Sequence, residues 1–212
     1  ESAEEALDHE YCETLDYLTV TSDGAYVVSD SKAFRYVHVV SSDRLVRNVS
    51  GLYEYMPQDL SQSGSFKCSD EELNRIWDVG ADTMDRTTRE FFMDGIKRDR
   101  WTWSGDAIQS YLMNYYLRFD SETVKRTIRQ LRGKDPVTAH VNTIMDYTFY
   151  WFKSVLDYYE HTADISFVRE IYPRMLTLMQ YVQGRLDSAG FADGPPDDWI
   201  FVDWVDFPMH KR

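Results

Sequence analysis

The apolar residues of this chain change period once, near residue 62, and that change limits the folds open to it. Before it the pattern alternates. Tyr17-Leu18-Thr19-Val20 leads through a Ser22-Asp23-Gly24 turn into Tyr26-Val27-Val28. Across residues 33–40, alternate positions carry Phe34, Tyr36, His38 and Val40, a pattern that predicts half-buried strands. His38 reads there as a strand residue with a satisfied hydrogen bond. Leu52-Tyr53-Glu54-Tyr55-Met56 predicts one more strand before Pro57. Ser61-Gln62-Ser63-Gly64-Ser65 is polar, small and without period, which marks a linker.

Beyond the linker the period is helical. Ser69 and Glu72 have capping-box spacing, and Leu73, Ile76, Trp77, Gly80, Met84 and Phe91 fall near one face behind them. A second helix is predicted from about Ser104, carrying Ile108, Tyr111, Leu112, Tyr115 and Phe119. A third runs from Ser121 through Val124, Ile128 and Leu131 to a stop at Gly133. A fourth spans about 144–162, with Trp151, Phe152, Val155 and Tyr159 inward. The segment 165–187 is divided at Pro173, since proline suits a first turn and not a helix interior. No fixed-length repeat stands out, which argues against a tetratricopeptide or HEAT array.

The balance of charge narrows the partners. Asp and Glu number 36 against 23 Lys and Arg, a net charge of −13 that repels phosphate backbones and anionic bilayers. Nucleic acid and membrane are therefore not expected as partners. No apolar run approaches the roughly 20 residues of a bilayer-spanning helix. Two cysteines, Cys12 and Cys68, exclude a disulfide framework and argue against a cysteine metal site. No metal and no cofactor is expected. The cysteine count leaves the compartment open, with the periplasm and the cell exterior both compatible. Aromatic residues reach 15%, more than a core alone needs, and Trp and Tyr also stack on flat faces such as sugars.

Residues 91–106, FFMDGIKRDRWTWSGD, gather Asp94, Asp99 and Asp106 with Lys97, Arg98, Arg100, Trp101 and Trp103. A structural loop needs turn formers rather than this inventory. Asp106 falls in the first turn of the second helix, where the dipole favours the carboxylate and makes it an acceptor for hydroxyl groups. Arg98 and Arg100 pull Asp99 toward ionisation, whereas indoles that exclude water push it toward the protonated form that can donate to a leaving oxygen. Two readings follow. One is a catalytic carboxyl with binding neighbours; the other is a connection clipped by Arg–Asp pairs with core indoles. The tail repeats the pairing of stacking face and acceptor, with Trp199 and Trp204 beside Asp197, Asp198, Asp203 and Asp206.

Residues 94–107 resemble the signature of the bacterial α-L-rhamnosidases of glycoside hydrolase family 78. That signature runs Asp-Cys-Pro-Gln-Arg, an acidic residue, two further positions, then Gly-Trp-Thr-Gly-Asp-Ala. Asp94, Arg98, Trp103, Gly105, Asp106 and Ala107 match, and Ser104 stands for the threonine. Phe34-Arg35-Tyr36-Val37 is similar to the end of the preceding β-domain, residues 66–74 to the first helix, and Phe201-Val202-Asp203-Trp204 to a later Gly-Asp-Trp loop. The resemblance implies a mainly α fold, part of an (α/α)6 toroid of helical hairpins preceded by a β-rich segment. Residues 1–62 would end a β-sandwich-like domain, and residues 63–212 would form the N-terminal part of the catalytic domain. It further implies inverting hydrolysis of a terminal α-L-rhamnoside, with acid and base carboxylates roughly 6.5–9.5 Å apart. By position, Asp99 takes the role of general acid. Asp94, Arg98 and Asp106 hold the rhamnose hydroxyls, and Trp103, Trp151 and Trp204 form apolar walls.

Three departures accompany the match. Asp99 replaces the family's glutamate and is one methylene shorter; Gly95-Ile96-Lys97 replaces Cys-Pro-Gln; and Thr102 stands where the family has glycine. Five or six helices are predicted where the toroid has twelve, and the family's base is a glutamate on a later segment. This stretch alone is therefore expected to turn over little or nothing. A non-catalytic carbohydrate-binding relative and a helical protein-interaction scaffold are the alternatives, and the scaffold predicts no affinity for rhamnose.

Overall fold

The computed structural model describes residues 2–192 apart from 9, 13, 29, 58 and 62. They fall into two units, Glu1–Tyr55 with Ile96–Asp99, and Met56–Gly95 with Arg100–Arg212. In the first unit, helix α1 spans Ala3–Leu7, and Ser2 caps it by accepting from the Glu5 amide at 3.1 Å. Lys97 Nζ lies 2.5 Å from Glu5 Oε1, and that hydrogen bond is the main cause that lowers the Glu5 carboxyl to about 2. The strands expected between residues 17 and 56 find no ladder: among the described residues of this unit α1 is the only regular element, and side chains 17–56 are almost all exposed. Alternation decides which side chains share a face. A strand exists only when a neighbouring backbone takes up its hydrogen bonds, and alternation does not supply that neighbour.

The second unit is helical, as expected. Its described residues form α2 (Glu71–Thr87), α3 (Ser104–Leu117), α4 (Ser121–Arg132), α5 (Met145–Thr162) and α6 (Ile165–Gln183), with a 3-10 turn at Val141–Thr143. Three of these helices start on an aspartate whose carboxylate takes first-turn amides that have no partner inside the helix. Asp70 accepts from Glu72 and Leu73, Asp120 from Thr123, and Asp164 from Phe167. The cap of α2 is thus Asp70 rather than Ser69, because a full charge gains more from the helix dipole than a hydroxyl does. Gly133 ends α4 with φ 65, a left-handed value that suits a residue without Cβ.

Short connections at 118–120 and 163–164 fold α3–α4 and α5–α6 into helical hairpins. The interhelical core takes Tyr111 and Tyr115 from α3, Val124 and Ile128 from α4, Trp151, Val155 and Tyr158 from α5, and Phe167, Ile171 and Leu178 from α6. Some inward faces differ from the predicted ones. On α2 the buried positions are Asn74 and Met84, while Leu73 and Ile76 are exposed; on α5 Tyr158 points inward and Tyr159 outward. Trp151 is 0% exposed, and its indole N–H donates to the Ile128 carbonyl at 2.9 Å. It is a core wedge with its one donor used, not the sugar wall expected of it.

Pro173 does not divide α6, which runs unbroken from Ile165 to Gln183. A helix-interior proline costs about 3 kcal/mol. Phe167 and Ile171 before it and Leu178 and Val182 after it are all buried, at about 1.5–3 kcal/mol each, so both halves are held in one line. Pro173 itself is exposed. Replacing it by alanine restores an N–H donor and removes the ring's clash, while freeing the unfolded chain by about 0.4–1 kcal/mol. Urea unfolding of Pro173→Ala is expected to show a net gain of about 1–2 kcal/mol; a loss would mean that the ring packs usefully where it stands.

Burial keeps several phenols neutral. It raises Tyr111, Tyr115 and Tyr158 above the ordinary tyrosine range, with help from the Tyr115 and Asp157 charges and from the Tyr158–Asp164 hydrogen bond. Tyr147 is pushed up to about 12. The folded state therefore retains protons that the unfolded chain releases near pH 10, so this contribution is complete below about pH 10 and declines as pH rises. The expected slope above that point is about 1.4 kcal/mol per pH unit for each such tyrosine. Denaturant titrations at stepped alkaline pH, alongside phenolate absorbance, should show part of the tyrosine signal appearing only with unfolding.

Candidate active site

The segment between α2 and α3 is built around one buried ring. After α2 the chain turns back on itself: the Met93 amide donates to the Thr87 carbonyl at 3.0 Å and the Arg89 amide to the Phe91 carbonyl at 2.9 Å. Phe92 enters the core edge-on to Tyr111, with centroids 5.6 Å apart, and its amide donates to Thr127 Oγ1 at 3.1 Å. The neck of the following loop is closed twice. The Asp94 amide donates to the Trp101 carbonyl at 3.0 Å, and the Trp101 amide donates to Asp94 Oδ1 at 2.8 Å. One oxygen of Asp94 is thereby engaged as a loop clip, a role that neither sequence reading assigned to it.

Arg98 and Asp99 lie on the excursion beyond this neck, and both are exposed. Among the described residues neither makes an ion pair. Asp99 and Arg100 are held in left-handed backbone conformations, φ 53 and φ 50. For a residue with a Cβ that costs roughly 1–2 kcal/mol each. Two such residues stand in succession at the position of the expected acid.

The chain then enters α3. Thr102 and Ser104 are buried, and Trp103 between them is half-buried. Trp103 occupies the N-cap position, and its ring meets Tyr147 edge-on at 6.4 Å. Asp106 lies in the first turn of α3, where it was expected, and is exposed. Tyr147, from the first turn of α5, joins these residues into one cluster. Its hydroxyl is pushed up to about 12, by burial first and then by the charges of Asp106, Tyr150 and Asp146. Its hydroxyl therefore stays protonated near neutral pH. Gly105 makes this approach possible: a Cβ there would stand 2.7 Å from two Tyr147 ring atoms.

The structure thus brings Trp103 and Asp106 together with Tyr147, and places Asp94 in the neck that precedes them. Trp151 is in the core. Trp204, with the rest of the tail, lies outside the described residues. Tyr147 escaped the sequence reading because a tyrosine in an apolar helix reads as core; its one signal was its place in a first turn beside Asp146.

Residues 61–212 match the family described as the bacterial alpha-L-rhamnosidase 6 hairpin glycosidase domain, and residues 1–39 the one described as alpha-rhamnosidase-like, bacteroidetes, N-terminal. The chain is similar to the crystal structure of a glycoside hydrolase family 78 rhamnosidase of Bacillus sp. GL1, with 25% identity and TM-score 0.62 over 73% of this chain and 17% of that one. It is also similar to a rhamnosidase from Klebsiella oxytoca with rhamnose bound, with 26% identity and TM-score 0.57 over 68% of this chain and 31% of that one. The chain therefore spans less than a third of either structure's length. Curated proteins show no match.

The Gly105–Tyr147 approach is open to a double-mutant cycle. Gly105→Ala gains about 1 kcal/mol of helix propensity but overpacks the ring at about 1–3 kcal/mol, so a net loss in chemical denaturation is expected. In a Tyr147→Ala background the same substitution should turn neutral or stabilising; equal effects in both backgrounds would refute the contact.

Proposed function

Because the chain belongs to the bacterial α-L-rhamnosidase six-hairpin glycosidase family, we propose that it contributes the acid side of an inverting site that removes terminal α-L-rhamnose from glycosides or polysaccharides. The observation that carries the reading is the loop at 94–101: a neck closed by two hydrogen bonds and two left-handed residues, Asp99 and Arg100, beyond it. Backbone strain held in place this way belongs to sites that need a side chain in one direction.

In this reading the Asp99 carboxyl protonates the glycosidic oxygen as its bond to the anomeric carbon breaks. Water attacks the opposite face, and a second carboxylate takes its proton. That base must stand roughly 6.5–9.5 Å from the acid to leave room for the water. The resemblance assigns the role to a glutamate on a later segment. Arg98 and the exposed Asp106 hold ring hydroxyls, with the second oxygen of Asp94 available for the same purpose. Trp103, braced by Tyr147, offers the apolar face of the sugar a wall. The rhamnose bound in the Klebsiella oxytoca rhamnosidase supports the choice of sugar.

Asp99→Asn tests the assignment, because it keeps shape and removes the proton. In the full protein, with an α-L-rhamnoside whose leaving group needs protonation, kcat should fall about 10²–10⁴-fold. A leaving group that departs without a proton should lose far less. The first product seen by NMR should be β-rhamnose. Equal rates for Asp99→Asn and wild type would remove Asp99 from the mechanism, and rhamnose binding without turnover in the full protein would favour the carbohydrate-binding relative.

A further inference from the structure

Helix α3 begins at Ser104, and its N-cap residue, Trp103, makes no side-chain capping bond. The first amide of such a helix has no acceptor within the helix. Here the acceptor comes from another loop. Asn142 Oδ1 takes the Ser104 amide at 2.9 Å, and Asn142 Nδ2 donates to the Thr102 carbonyl at 3.1 Å. One carboxamide thus grips the backbone on both sides of Trp103.

The grip is itself built at some expense. Asn142 has φ 52 and ψ 22, and Thr143 after it has φ 61, so two residues with a Cβ stand in succession in the left-handed region. Asparagine tolerates that region better than most residues. The turn is anchored from behind, where Thr148 Oγ1 accepts the Val141 amide at 2.9 Å and lies 3.0 Å from His140 Nδ1. Five residues beyond Asn142, Tyr147 presses on Gly105 and meets the Trp103 ring. Segment 140–148 therefore holds the start of α3 twice, by an amide on its backbone and by a ring on its side chains.

We propose that Asn142 is a positioning residue for the sugar site, fixing Trp103 and Asp106 through the first turn of α3 without touching the ligand; this rests on the rhamnosidase reading above. Only a carboxamide on a one-carbon stem meets both demands. Aspartate keeps the acceptor for Ser104 but sets an oxygen against the Thr102 carbonyl. Serine is too short to span the two groups. Because the clip acts on residues that hold the sugar and not on Asp99, its loss should weaken binding and leave the proton-transfer step alone.

The test uses the full protein with Asn142→Asp, Asn142→Gly and, as a control outside the site, the core substitution Ile128→Val. For Asn142→Asp, KM for an α-L-rhamnoside should rise about tenfold, the effect of one lost hydrogen bond, with kcat little changed. The pH dependence of kcat should keep its acid limb. Ile128→Val, which costs stability at a buried site, should leave KM unmoved. Asn142→Gly keeps the left-handed backbone without the side chain, and hydrogen exchange in peptides covering residues 102–107 should speed up at least about tenfold. Unchanged exchange overturns the clip whatever the substrate. Faster exchange with KM unmoved confines Asn142 to stability and overturns its role at the sugar. Wild-type protein that neither binds nor hydrolyses the rhamnoside overturns the functional reading instead, and the sugar role of Asn142 with it.

Discussion

The helical unit is organised around the indole of Trp151. It lies in the middle of α5, and α5 packs against α3, α4 and α6. A fully buried indole brings a large apolar area into the core but also a donor, and an unmet donor there would cost about 1–3 kcal/mol. The Ile128 carbonyl meets it, which requires α4 to pass at one height and rotation beside α5. Val124, Ile128, Val155 and Tyr158 then fill the space that this placement defines.

With α5 placed by its middle, its beginning becomes the floor of the candidate site. Helices α3 and α5 both start there, at Ser104 and Met145, and each carries an aspartate in its first turn, Asp106 and Asp146. Helix dipoles stabilise those negative charges. Tyr147 stands beside both carboxylates and remains neutral because of its burial and their charge. The result is a cluster of acceptors, one phenol and one indole, assembled from first turns. The loop at 94–101 is different in kind: its neck is closed by two hydrogen bonds, and its backbone passes through two left-handed residues.

Much of this was legible beforehand, for reasons that differ by residue. Asp106 was placed in a first turn because serine, glycine and aspartate precede an apolar period, a local pattern with a local cause. Gly133 was legible as a stop for the same kind of reason. Leu73 and Tyr159 face outward although the period predicts them inward, and their neighbours Asn74 and Tyr158 are buried instead, because propensity does not choose among neighbours on a helix. Trp151 was misjudged because its chemistry suits a sugar wall and a core wedge equally well. Pro173 was overridden by four buried side chains that flank it.

The amino-acid sequence determined, by itself, that the chain turns helical after residue 62, where most of those helices begin and end, and that residues 94–107 carry a rhamnosidase signature. These depend on periodicity, capping and a contiguous motif, all of which act over a few residues. Only the tertiary structure decided that Tyr147 and Asn142 serve the start of α3, that Trp151 serves the core, and that the described residues of the alternating segments in the first unit form no ladder. Each of those depends on which distant backbone comes within a hydrogen bond's reach, and no spacing along the chain encodes that distance.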